Sequence, residues 1–352
     1  MRCLRRVGLL VGAVCAMTAL SATTQAQTPP EWLERTTLSG YVFGDAYHFS
    51  SDDEDVDGEN GFWFRRMYLT IDSELSESLS ARLRFEVNSP GDFTTSTNLE
   101  PYVKSAYLRW SSSGRDLYVG LTDTPTWGTV EDVWGYRFVE KTPLDLHRLG
   151  TSADVGVALQ GAFDGESNRF RYNVMLGNGS GTRSETDSGK KAMLSTGWYP
   201  DDHWILEAYG DVESRPGATD RRTVQLFGAY QTQGFRVGLQ AARQRQEVSL
   251  DDTRDVDLAS AFAVLALSQR VNLLLRYDVL FDPSPEGDRI AYLPFDPTAD
   301  SQLAIVGIDV ALHERVNLTP NVEAIFYDRD DGDPRPEPDE TLAARLTLYW
   351  RF

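Results

Sequence analysis

From residue 37 onward the chain is filled with short runs in which apolar and polar residues alternate. The clearest spans 79–88. Leu79, Ala81, Leu83, Phe85 and Val87 point one way, and Ser80, Arg82, Arg84, Glu86 and Asn88 point the other. Period two with charges on one face predicts a half-buried strand. The closing run has the same form, with Leu342, Ala344, Leu346, Leu348, Trp350 and Phe352 opposite Ala343, Arg345, Thr347, Tyr349 and Arg351. The pattern predicts strands at 37–49, 63–72, 79–88, 103–110, 117–122 and 154–163, then 169–177, 192–199, 204–211, 223–231 and 235–244. The last five fall at 258–267, 271–281, 302–312, 316–327 and 341–352, about sixteen in all. Their length suits tilted strands of about 9–11 residues crossing a bilayer.

The connections carry as much information. Tight ones (111–115, 164–167, 200–202, 232–234, 268–270, 313–315) alternate with long polar ones (50–60, 89–101, 178–190, 282–300, 328–340). One rim of short turns and one of long loops implies an all-β fold, a transmembrane antiparallel up-and-down β-barrel. A soluble sandwich would bury two apolar inner faces instead. One connection differs from the rest. Residues 123–152 break the alternation yet carry Trp127, Trp134, Tyr136, Phe138, Leu144, Leu146 and Leu149. A loop this long and aromatic exposes too much apolar surface unless it lies against something, so it is expected to fold into the lumen as a constriction loop.

The N-terminus adds an address. A basic start, the apolar run 7–22 and small residues around Ala26 predict a secretory signal peptide over 1–26, leaving one domain, 27–352. Cys3 and Cys15 both fall in that leader, so the mature barrel has no disulfide and no thiol. Losing Arg2, Arg5 and Arg6 moves the net charge from −19 to −22, which argues against nucleic acid as a partner. Lysine is confined to Lys104, Lys141, Lys190 and Lys191, so nearly all positive charge is arginine.

Together, a leader, about sixteen alternating strands, an inward loop after the fifth and a terminal Phe352 resemble the Gram-negative outer-membrane porins. Phe64-Arg65-Arg66-Met67-Tyr68 is similar to the start of the second strand in phosphate-selective porins of the O and P type. The resemblance implies passive diffusion of small polar or ionic solutes. It also implies an outer membrane with its lipid and lipopolysaccharide as surroundings, a homotrimer, and assembly-machinery recognition of Phe352.

On the pore-facing parity Arg66, Arg82, Arg84 and Arg109 fall on strands two to four, and Arg345 on the last strand, across the seam. The expected counterpart is the inner loop's Asp123, Glu131, Asp132, Glu140 and Asp145. A cationic wall facing an acidic loop sets a transverse field across the narrowest part of a pore. Trp127 and Trp134 are expected to pin the loop, and Trp110, Trp198, Trp204, Tyr230 and Trp350 to sit in interfacial girdles. The acidic runs 52–58 and 328–333 look like calcium loops, but the twelfth position from Asp53 is Phe64, so solvated loops are the better reading and no metal or cofactor is expected. No G-x-S-x-G and no Ser-His-acid set on one strand face appear, which speaks against the alternative of a barrel enzyme of the lipase kind. A receptor or structural barrel is the other alternative, although ten residues before the first strand cannot supply a plug domain.

Overall fold

A computed structural model describes residues 31–352 except 218, 250–251 and 330–333; the leader expected over 1–26 lies outside the described residues. After a single turn, α1 (Glu31–Glu34), the chain forms β1 (Thr36–Ser51), β2 (Asn60–Glu74), β3 (Leu79–Asn88), β4 (Pro101–Ser112) and β5 (Arg115–Asp123). The inner loop carries α2 (Gly128–Trp134) and α3 (Pro143–Leu146). Then come β6 (Ala153–Ala162), β7 (Phe170–Gly177), β8 (Lys190–Trp198), β9 (Trp204–Ser214), β10 (Arg221–Gln231) and β11 (Phe235–Ser249). The last five strands are β12 (Asp252–Ser268), β13 (Val271–Leu280), β14 (Asp300–His313), β15 (Val316–Asp328) and β16 (Thr341–Arg351).

Every strand pairs antiparallel with its sequence neighbours, and β1 pairs with β16, so the sixteen form a closed barrel with no free edge. At the seam Phe352 N–H donates to Gly40 O (2.9 Å) and Gly40 N–H to Phe352 O (3.1 Å). An added Cβ at Gly40 would run into the Tyr68 carbonyl oxygen and sit 2.5 Å from the Phe352 ring, so the seam is built around a glycine there.

Alternation is the cause of the two environments. Leu108, Val119, Leu194, Leu226, Leu239, Val306 and Leu346 stand exposed around the outside, an apolar band of the kind a membrane-spanning barrel presents. Trp110, Phe163, Phe170, Trp198, Trp204 and Phe235 project at the short-turn rim, with Phe170 and Trp198 stacked at 6.0 Å, as an interfacial girdle requires. β11 and β12 run further than their apolar alternation, up to Ser249 and Asp252. Their outward residues there are charged, and Arg243 and Arg245 meet Asp257 and Asp255 in bidentate pairs across the strands. Such a charged ladder suits a hairpin that stands clear of hydrocarbon, and it hid this extension from a search for apolar faces.

Candidate functional site

The inner loop is held to one side of the lumen by strand side chains that donate to its carbonyls. Gln225 reaches Thr126 O (3.0 Å), Arg236 reaches Trp134 O (3.0 Å), Arg276 reaches Lys141 O (2.5 Å), and Gln244 reaches Leu149 O (2.5 Å). A loop inside a barrel needs such partners, because unpaired backbone groups there would be costly. Its aromatic residues fill the remaining space. Trp127, Leu144 and Leu149 pack on Ala242, Val256, Leu258 and Leu280. Trp134 meets Phe262 edge-on at 5.3 Å, and Phe138 stacks on Tyr349 at 4.5 Å. α2 ends on Gly135 in the left-handed region (φ 70°), where a Cβ would meet the Arg236 guanidinium at 2.8 Å.

A buried ionic hub completes this anchor. Arg65 pairs with Glu140 (2.7 Å) and Asp45 (3.5 Å) and donates to Val139 O (2.5 Å). Arg345 lies within 3.4 Å of Glu323, 3.7 Å of Asp45 and 3.9 Å of Glu140. Burial would raise the Glu140 carboxyl, but Arg65, Arg345 and Lys141 hold it at about 2. Burial also lowers the Lys141 ammonium, to about 8. Arg345 and Glu140, expected on the aqueous path, are therefore corrected to parts of the anchor: their side chains are wholly closed off from the open lumen.

Arg65 reaches the hub because of a bulge. Gly44 pairs with Phe64 and Phe43 with Arg66, leaving Arg65 opposite no residue, so Arg65 and Arg66 both turn inward. A second bulge skips Lys104 between the pairs Arg84–Ser105 and Phe85–Val103, and Lys104 points in toward Ser152 Oγ and Glu86. Strict alternation assigns Arg65 to the outer face, and no local signal in the sequence marks either bulge.

A second loop also folds inward. The connection between β13 and β14, expected to be a long polar loop, buries Ile290, Tyr292, Leu293 and Phe295 with the constriction loop. Tyr292 OH lies 2.8 Å from both Arg65 O and Ser89 O, to either of which its one proton can be donated, while its own carbonyl accepts from Arg345. The four apolar residues were the available signal.

The open lumen lies along the remaining wall. Arg82 is paired with Asp72 in a bidentate contact (2.7 and 3.0 Å), and Arg66 with Glu86. Arg84 donates to Thr70 Oγ1 (2.9 Å) and Arg109 to Ser80 Oγ (3.1 Å), so these two wall arginines keep uncompensated charge. From the loop, Asp123 and Asp132 are exposed to the lumen. Glu131 and Asp145 are half-buried and share Arg137 (3.0 and 3.2 Å). Burial pushes the Glu131 and Asp132 carboxyls above the usual range, Arg137 offsetting part of the rise for Glu131. The expected opposition of wall cations and loop acids is thus partly absorbed by Asp72, Glu86 and Arg137, all nearer partners. The acidic run at 52–58 is folded on itself, Asp53 Oδ1 accepting from Asp55 N–H (2.9 Å), and 330–333 lie outside the described residues.

A closed barrel of sixteen strands, apolar outside and narrowed by a loop docked in a charged lumen, is the fold of the sixteen-stranded porins. Residues 37–191, from the start of β1 to the start of β8, match the family model for phosphate-selective porin O and P. No curated protein matches the chain by sequence. In fold it is similar to the anion-selective porin from Comamonas acidovorans (TM-score 0.65, 12% identity, covering 90% of this chain and 99% of that one). It is also similar to OmpT of Vibrio cholerae in a trimer form (0.59, 13%, 90% and 99%) and to the outer-membrane channel DcaP of Acinetobacter baumannii (0.62, 13%, 90% and 97%).

Proposed function

We propose that the chain is a diffusion channel for small hydrophilic solutes and ions, exported by its N-terminal leader and working as a homotrimer rather than as an enzyme. The observation that carries this reading is the division of the lumen. One half is filled by a loop with dense hydrogen-bonded anchorage, and the other is left open and lined by charge of both signs. A rigid constriction with such a lining passes small polar solutes and discriminates weakly by charge. The trimer form of the V. cholerae barrel supports the oligomeric part. Lipid and lipopolysaccharide around the girdles, and recognition of Phe352 by assembly machinery, follow from the same reading.

Planar-bilayer conductance in a salt gradient tests it. Discrete conductance steps are expected, and replacing Arg84 and Arg109 by serine shifts the reversal potential toward cations. Arg82→Ser alone also shifts it toward cations, because Asp72 is then left as an unpaired carboxylate in the lumen. Folded, membrane-inserted protein with no conductance contradicts the proposal.

A further inference from the structure

On the short-turn side of the constriction loop the lumen opens into a polar cavity of about 480 Å³, between α2 and the wall formed by β5 to β9. Several opposite charges in this lumen close on one another, as in Arg82–Asp72 and Arg137–Glu131. Here they do not. Asp132, Glu207 and Arg171 all line the cavity, and among the described residues none of them has an ion-pair partner. The Arg171 guanidinium lies 4.0 Å from the centre of the Tyr199 ring, and its Nε donates to Asn168 O (3.1 Å).

Glu207 is the informative group. It is only 7% exposed, its Oε2 accepts from Thr129 of α2, and its Oε1 has no hydrogen-bond partner. An uncompensated carboxylate at that depth is costly unless something brought to the cavity compensates it. Asp116 and Asp123 line the same cavity, so carboxylates outnumber the single guanidinium. A plain anion would meet those carboxylates and a plain cation would leave Arg171 unmatched, whereas a solute carrying both charges offers a partner to each sign. The volume is within the range of small-molecule sites, about 300–1,000 Å³.

We propose that this cavity is a binding station for small zwitterionic solutes, with a primary ammonium held by Glu207 and Asp132 and a carboxylate held by Arg171. The proposal rests on the channel reading and names a solute class for it. The test is single-channel recording of the full-length protein in potassium chloride while L-glutamine is titrated in, binding being read as saturable excess current noise. Only conducting channels are read, so misfolded chains do not contribute. L-glutamine is expected to saturate. Its half-saturating concentration should rise about tenfold in Glu207→Gln and in Arg171→Gln, the loss of one hydrogen bond to a charged group. 4-Aminobutanamide, which lacks the carboxylate, and 4-carbamoylbutanoate, which lacks the ammonium, should bind more weakly than L-glutamine by a similar factor. Normal conductance with no saturable effect of L-glutamine, or equal effects of all three probes, overturns the binding station and leaves the channel standing. Absence of conductance overturns both.

Discussion

Arg65 makes more contacts to the inner loop than any alternation pattern would grant it. Its guanidinium holds Glu140, Asp45 and the Val139 carbonyl, and it lies 4.8 Å from the Tyr292 ring centre. Replacing it by alanine leaves two buried carboxylates with Arg345 as their remaining guanidinium partner. Removing one member of a buried pair costs about 3–5 kcal/mol. Arg65→Ala is therefore expected to lower the denaturant midpoint and to make single-channel current flicker; an unaltered midpoint with steady current would contradict the anchor. Alternation assigns Arg66, Arg82, Arg84 and Arg109 to the lumen because period two holds along most of β2 to β4. It does not so assign Arg65 and Lys104, because a bulge shifts parity by one residue and leaves no trace in residue type. Arg345 lies on the inward parity of β16, and Glu140 lies in the inner loop. Sequence gives no depth, however, so it could not separate a wetted wall from a sealed anchor.

Among the elements, the inner loop was visible from its aromatic content, whereas the inward turn of the β13–β14 connection was masked by its acidic and proline-rich flanks. The two loops meet at His147. Its ring lies edge-on to Phe295 at 5.1 Å, and its Nδ1 is 3.4 Å from Ser284 Oγ. Burial lowers the His147 imidazole to about 4; Asp278 and Glu140 act to raise it and Arg276 to lower it. The undocked loop binds the proton more readily than the docked one, since a free imidazole titrates near about 6.5. Docking is then at full strength above pH ~6.5, weakens as pH falls toward ~4, and changes no further from this group below that. Glu140 stays ionised through that window. Conductance or open-channel noise should rise between those limits, and His147→Gln should flatten that rise. The same rise in the variant would assign it to other groups.

At the scale of the whole molecule, strand number, sense and facing were nearly all legible, because lipid outside and water inside impose one rule on every strand. The exceptions are where that rule does not apply: the β11–β12 extension beyond the apolar band, the bulges, and the half of the lumen occupied by loop. Thr347 shows the last case, for it faces inward and is fully buried beneath that packing, accepting from Asn321 Nδ2 at 2.9 Å. On the channel reading proposed above, what narrows the barrel is the loop's position, set by Arg65, Arg236, Arg276, Gln225 and Gln244 together. The most direct test removes the middle of the loop, residues 130–141, and measures single-channel conductance and the largest uncharged sugar that enters liposomes carrying the folded barrel. A clear rise in both is expected; a folded deletion variant with unchanged conductance and unchanged sugar cut-off would contradict it.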